Sequence, residues 1–548
     1  MHELHPELVP CIQSYIQQNS AAAHLRRRDD VMYTNGVSLK DMASHVKRTL
    51  GIDVSVDTIH RLLKPVRNGT TSSKRFKSLI NARVPPKKNS GEKKIHPYFH
   101  YTNSQVNLVN EMATLCSDGT LCLSVDNKNK VEVGNPAANR RTQIRSFYLE
   151  NDAPNYNDHD FPYRNSKLTP AGYQILKPRL ERSRSLTVQS RRSTTIRRRC
   201  FSESSNESSS EVSSKKLVFS KDKLGRVKIK WPRGGPLSIH LYPSRVIEST
   251  NAMHVNHLVN LVQQERAGSN IFNVIAIADG GPDWSVKGVL NLMSLGCLWK
   301  NLNLDVLVIQ CYAPGHSRFN PIERSWSQLT KWLCGVILPV DIDGVIPKER
   351  DHESWAKVLD EAATLCAKFW HKKVYAGFPL SVETFLSTNP LVAQIKATHS
   401  LLHRFTNASA KKIREDVQLM ELQKIYQFFV KHCNRKSYQI EFVRCQDLTC
   451  SHCRSLPIRH NDLYNMINEF HGTCPAPEPA QFYPGHYKTF LEMIRSQRVQ
   501  NVAGLNQLKI INNSTSFGIC PHKECSYAFF SKADELRHYR LMNHAKKK

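Results

Sequence analysis

The sequence predicts a multidomain α/β protein, and three observations carry that prediction. Apolar strand patterns alternate with helical ones between residues 238 and 335, the pattern of a largely buried sheet with helices on its faces. Two apolar runs, Leu121-Cys122-Leu123-Ser124-Val125 and Val274-Ile275-Ala276-Ile277-Ala278, each end directly on an aspartate. Beyond position 444 the patterns become short and rich in Cys and His.

Residues 1–36 read as helical, with a basic cluster at Arg26, Arg27 and Arg28. Two short helices follow within residues 37–66. In the first, Leu39, Met42, Ala43, Val46 and Leu50 recur at helical spacing, with Ser38 as cap and Gly51 at the end. In the second, Ser55 caps the helix, Ile59, Leu62 and Leu63 form the buried face, and Pro65 stops it. The pair fits a helix-turn-helix whose second helix enters a DNA major groove, with Thr58, His60, Arg61 and Lys64 off the apolar face. An ordinary helical hairpin is the alternative. Residues 67–98 read as a basic linker lying on DNA, and 104–117 as a helix.

Residues 135–230 interrupt the pattern, and within them 179–216 is rich in Ser and Arg. Such a stretch buries too little apolar surface to order, so disorder is expected there. Strands are expected at 238–242, 272–279 and 304–312, and helices at 251–264, 285–300 and 321–335. Residues 350–430 read as mostly helical.

The 548-residue chain carries a formal net charge of +30 and a pI near 9.6. A surplus that large points to a polyanionic partner, nucleic acid first. No apolar run of about 18 residues is present, so a membrane span is not expected. Met1–Pro10 lacks the pattern of a signal peptide. An intracellular protein is expected, and the Arg-rich 182–199 stretch fits a nuclear import signal.

Three segments carry candidate chemistry. Asp126 and Asp279 lie at the ends of apolar strands, where ligands bind in α/β sheets. Gly280 and Gly281 allow a sharp turn beside Asp279. In Asn320-Pro321-Ile322-Glu323-Arg324-Ser325-Trp326, Asn320 is expected as an N-cap and Pro321 as the first helical residue, with Glu323 in the first turn. Asp283 is an alternative second acid. Three carboxylates from distant parts of a chain suit two Mg²⁺ or Mn²⁺ ions, which stabilise both the attacking and leaving oxygens of a phosphodiester.

These segments resemble those of mariner-like transposases, within the wider group of integrases and transposases with a ribonuclease-H-like fold. The matching residues are Asp279 in D-G-G-P, and Ala313, Pro314, Asn320, Pro321, Ile322, Glu323 and Trp326 around the third acid. The resemblance implies a ribonuclease-H-like catalytic core, an N-terminal helix-turn-helix and cut-and-paste DNA transposition. Asp126, Asp279 and Glu323 would be metal ligands, and transposon ends and target DNA the partners. It also implies action as a homodimer. The long interruption and the wide gap between Asp279 and Glu323 depart from the family's pattern. A non-cutting, transposase-derived DNA-binding or regulatory protein is the rival reading.

Of fifteen cysteines, six fall after position 444. Cys520-x4-Cys525-x12-His538-x5-His544 has the ligands and spacing of a Cys-Cys-His-His zinc finger. Cys445-x4-Cys450-x2-Cys453 offers three more thiolates, with the fourth ligand open among Cys474, His471 and His460. The expected domains are therefore 1–98 (helix-turn-helix and linker), 99–345 (catalytic, interrupted), 346–440 (helical), 441–480 (Cys-rich) and 515–548 (zinc finger).

Overall fold

The computed structural model describes residues 3–19, 39–64, 73–80, 82, 96–128, 130–134, 166–177, 217–244, 249–334, 336–341, 343–348, 350–497, 518–522, 525 and 527–544. The Arg26–Arg28 cluster, Ser38, Pro65 and the 179–216 stretch lie outside them. The chain forms two compact units, Met1–His96 and Pro97–Lys548.

The first unit holds α1 (Leu8–Asn19), α2 (Leu39–Leu50) and α3 (Val56–Leu62). Their apolar stripes meet in one core of Leu8, Ile12, Met42, Val46, Ile59 and Leu62. Gly51 ends α2 at φ +68°, a left-handed conformation that costs glycine nothing. Ser55 caps α3, its hydroxyl accepting from the Thr58 amide at 3.1 Å. Part of the stretch expected as a linker belongs to this core. Ile80 is fully buried, and its amide donates to the Leu62 carbonyl at 2.8 Å.

The second unit opens with α4 (Phe99–Leu115), β1 (Thr120–Asn127), β2 (Val131–Glu132) and β3 (Lys167–Ile175). A hairpin of β4 (Phe219–Lys221) and β5 (Val227–Ile229) precedes β6 (Leu237–Pro243). Helices and strands then alternate through α5 (Asn251–Arg266), β7 (Asn273–Ala278), α6 (Val289–Asn301), β8 (Val306–Cys311) and α7 (Glu323–Trp332). Next come α8 (His352–Trp370), β9 (Val374–Tyr375), β10 (Phe378–Pro379) and β11 (Ser381–Thr384). Three helices, α9 (Pro390–Asn407), α10 (Ala410–Glu415) and α11 (Val417–Lys431), lead to β12 (Cys433–Lys436) and β13 (Gln439–Val443). The described chain ends with α12 (Ser451–Ser455), α13 (Asp462–Glu469), α14 (Phe490–Gln497), β14 (Gly518–Ile519), β15 (Ala528–Phe529) and α15 (Lys532–Met542).

One large mixed sheet organises this unit, in the order β11-β6-β3-β1-β7-β8-β13-β12, with β2 beside β3. β1, β7 and β8 are parallel, whereas β3 is antiparallel to both β1 and β6. Every residue of β7 and β8 is buried, as continuous apolar runs require when helices cover both faces. Leu121, Leu123, Val125, Val274 and Ala276 pack with residues of α5, α6, α9 and α11. Ile275, Val306 and Val308 face the other way, onto α4, α13 and α14.

Three parts of this sheet were not expected, and one is β11, which pairs with β6 from within residues read as mostly helical. β3 falls inside the region read as an interruption, because its Pro170 and Gly172 break a strand pattern. Pro170 has no amide to donate, but its carbonyl accepts from the amide of Lys128, just past β1, at 2.9 Å. β12 and β13 fall at the end of the region expected to be helical, and β13 pairs antiparallel with β8. No helix among the described residues is long and apolar enough to cross a membrane.

The α6–α11 contact leaves no spare room. A Cβ on Gly296 would lie 2.6 Å from the Phe429 ring. Gly296→Ala should therefore destabilise the protein by roughly 1–3 kcal/mol, despite a gain of about 1 kcal/mol in helix propensity. Urea unfolding of both proteins measures this, and an unchanged or raised midpoint would contradict the close packing.

Candidate catalytic and metal centres

The acids come together through strand alternation. Successive strand residues point to opposite faces, so Asp126 shares a face with Ser124 and lies opposite Gly172 in the β1–β3 register. Asp279 follows β7 directly, and Glu323 is the first residue of α7. Burial, and then the neighbouring carboxylates of Asp279 and Glu323, push the Asp126 carboxyl up to about 8. Trp326 Nε1 at 3.3 Å and the Asn127 amide at 2.8 Å donate to Asp126 and pull the other way. No basic group is among these influences. Burial and two neighbouring carboxylates thus raise the cost of charging Asp126.

The Asn320–Trp326 segment reaches this place by a different route from the one expected. Asn320 does not cap α7. It is fully buried, its Oδ1 accepts from Ser124 Oγ at 2.6 Å, and its Nδ2 donates to the Val125 carbonyl at 3.0 Å. The Ile322 amide donates to the same Ser124 hydroxyl at 3.0 Å. The helix instead starts by tight turns, with the Glu323 amide on the Asn320 carbonyl at 3.1 Å. The polar side chain is better used against β1, whose buried groups would otherwise lack partners. Ile322 and Trp326 then fill the space above Gly172, where an added Cβ would meet Trp326 at 2.3 Å and Ile322 at 2.8 Å.

Asp279 and Asp283 have separate surroundings. Asp279 Oδ1 accepts from the Gly281 amide at 2.8 Å. Gly280, at φ +76°, turns close to Tyr312, its notional Cβ 3.3 Å from that carbonyl. The Asp283 carboxylate is taken up by Ser249 Oγ at 2.8 Å and Asn127 Nδ2 at 3.0 Å. Ser249 Oγ also lies 3.1 Å from His254 Nε2, and His254 Nδ1 lies 2.6 Å from Tyr173 OH. Asp283 thus holds a polar chain behind the site, and the charge that bears on Asp126 is that of Asp279.

Two Cys/His centres could hold zinc. One joins Cys520, Cys525, His538 and His544, the four residues expected from spacing. The other joins Cys445, Cys450 and Cys453 with His432. In a tetrahedral site with ordinary zinc bond lengths, a sulfur–nitrogen edge spans about 3.5 Å. The observed edges are 3.4 Å for Cys450–His432, 3.4 Å for Cys520–His544 and 3.5 Å for Cys525–His538. His432 Nδ1 lies 2.8 Å from the Phe428 carbonyl; donating there leaves Nε2 for a metal.

Cys474 is not part of this centre. It packs with α13 and α14, and its amide donates to Glu441 Oε2 at 3.0 Å. His471 and His460 are not in it either. His432 was missed because it stands alone just past a helix, with no cysteine at a ligand spacing.

Of the residues expected to touch DNA, His60, Arg61 and Lys64 are exposed on α3 and just beyond it, and Thr58 is half-buried. His60 rests edge-on against Phe76, with ring centroids 5.0 Å apart.

Two measurements bear on these centres. His432→Ala should cost the protein about one equivalent of zinc per chain, because one of four ligands is lost, whereas Cys474→Ala should retain it. Metal analysis after dialysis distinguishes them, and the opposite result would move the fourth ligand. For Asp126 the folded value lies above the unfolded one. Its contribution is therefore fully present below about pH 4 and lost as pH rises through about 8. Without divalent cations, wild type should lose more stability than Asp126→Asn between pH 5 and 9. The difference amounts to about 1.4 kcal/mol for each tenfold change in the carboxylate's proton affinity on folding, reduced by water entry. Parallel losses in urea titrations would contradict the burial of this carboxyl.

Compared with known proteins, the chain matches no family model, no curated protein and no solved structure.

Proposed function

We propose that this protein is a metal-dependent DNA transposase, cutting DNA at Asp126, Asp279 and Glu323. The observation that carries the reading is the meeting of these three acids, from β1, the end of β7 and the start of α7, around a carboxyl pushed up to about 8. The sheet supports it as well. Three antiparallel strands, β6-β3-β1, continue into parallel β7 and β8, the order expected of a ribonuclease-H-like core.

Mg²⁺ or Mn²⁺ bound by these acids would activate water and stabilise the attacking and leaving oxygens. The chain's own residues do the positioning. Trp326 fixes the Asp126 carboxylate through its indole N–H. Asn320 ties the Glu323 segment to β1 through Ser124 and Val125. The Gly281 amide orients Asp279. The net charge of +30 favours DNA as partner, and exposed Arg61, His60 and Lys64 on the first unit suit a helix-turn-helix contact. Zinc in the two Cys/His centres completes the cofactor set. Action as a dimer in the nucleus follows from the same reading.

Purified protein with Mg²⁺ or Mn²⁺ should nick supercoiled DNA. Glu323→Gln should lower the rate at least about 10²–10³-fold, as losing a group that stabilises transition-state charge does, with DNA affinity kept. Equal nicking by wild type and variant would sink the nuclease reading. Binding without any nicking by wild type would favour the regulatory alternative.

A further inference from the structure

We propose that the C-terminal Cys520/Cys525/His538/His544 unit is an internal clamp on the α/β core and does not read DNA bases. The proposal rests on the zinc reading of these four residues and is independent of the nuclease reading.

A zinc finger that reads DNA offers helix positions −1, 3 and 6 to successive bases. Counted from Lys532, the first residue of α15, these are Ser531, Asp534 and Arg537. Two of the three are spent inside the protein. The Ser531 hydroxyl caps α15, accepting from the Asp534 amide at 3.1 Å. Asp534 is 5% exposed. Its carboxylate accepts from Tyr527 OH and from the Phe530 amide, each at 3.1 Å, and faces Arg435 Nη1 of β12 at 3.5 Å.

Arg435 makes this a joint between elements. Its side chain is fully buried. The guanidinium lies over the rings of Tyr527 and Phe530, at 4.3 Å and 4.7 Å from their centroids. Its Nη2 donates to the Lys287 carbonyl at 2.7 Å, just ahead of α6. A base edge reaching Asp534 would have to displace a buried, paired arginine, leaving an uncompensated charge.

The last turns of α15 are engaged too. Arg540 Nη2 donates to the Thr406 carbonyl of α9 at 2.6 Å, and Gln423 Nε2 of α11 donates to the Leu541 carbonyl at 3.1 Å. Tyr426 OH of α11 lies 3.4 Å from Nδ1 of the ligand His538. Cys520, Tyr527, Phe529 and Leu541 belong to the same core as Tyr426 and Phe429. Helix α11 is thus held twice: His432 of the other centre follows its last residue, and the C-terminal unit grips its side.

The test uses the full-length protein. Asp534→Asn keeps the side chain's shape and removes its charge. It should lower the thermal midpoint by at least about 5 °C and speed zinc release to a chelator. Arg435→Met should do the same, and the double variant should fall little further than either, as coupled neighbours do. Arg537→Ala, at the remaining reading position, should leave affinity for a panel of duplex DNAs within about twofold, since a lost base contact would cost more. Additive midpoint losses for Asp534→Asn and Arg435→Met, or a weakened or re-ordered DNA preference for Arg537→Ala, would overturn the clamp. Cys525→Ser checks the premise separately. Unchanged zinc content there would remove the metal, and the proposal with it, whatever the Asp534 variants do.

Discussion

A buried asparagine decides where the third acid can stand. Asn320 is sealed from water and satisfied on both sides by β1, through Ser124 Oγ and the Val125 carbonyl. In such a setting each hydrogen bond is strong, and the cost of leaving one unmade is larger still. Moving the segment outward would strand both partners at once. Glu323, three residues on, inherits that fixity, and so does Trp326, whose indole returns to the same strand at Asp126. β1 thus supplies an acid and also the anchor for the opposing one. Gly172 on β3 supplies the missing volume that lets Ile322 and Trp326 settle between them.

Much of this was legible in the sequence, though not all of it. Apolar runs ending on Asp126 and Asp279 are local features, and β1 and β7 fall where those runs predict. The short motif placed Glu323 beside them. The role of Asn320 was not legible, because an N-cap and a cross-strand latch demand the same residue type, and only the fold chooses between them. β3 was obscured for a related reason. Pro170 and Gly172 are weak strand formers, yet both serve: the carbonyl of one takes the Lys128 amide, and the other clears room for two side chains. Long-range use overrode local propensity at both places.

The Cys/His clusters divide in the same way. Four ligands of the C-terminal unit lie within one short stretch, so spacing alone assembles them. The other centre draws His432 from the end of α11, before two strands that intervene in the chain. A ligand supplied across a sheet edge carries no spacing signature. Cys474 was the natural substitute, being a cysteine at a plausible distance, but an apolar pocket against α13 and α14 holds it instead.

Two long connections between strands of the sheet have an evolutionary consequence. Residues 128–166 join β1 to β3, and residues 176–236 join β3 to β6, in both cases between antiparallel neighbours. Antiparallel strands can be joined by as few as two residues, so beyond β2 the sheet's own pairing asks for little of the extra length. Each doubling of a flexible loop costs only about 0.6 kcal/mol. The same length placed between the parallel β7 and β8 would disturb α6 and the core beneath it. Outside the pieces that pack in the unit, residues 131–133 in the first connection and the β4–β5 hairpin with Trp231 in the second, length can therefore be gained or lost in both at small cost. The first opens at the Asp126 end of β1, so new material arriving there would stand beside the acids, whereas the second leaves β3 at Ile175, level with Leu123 at the other end of these strands.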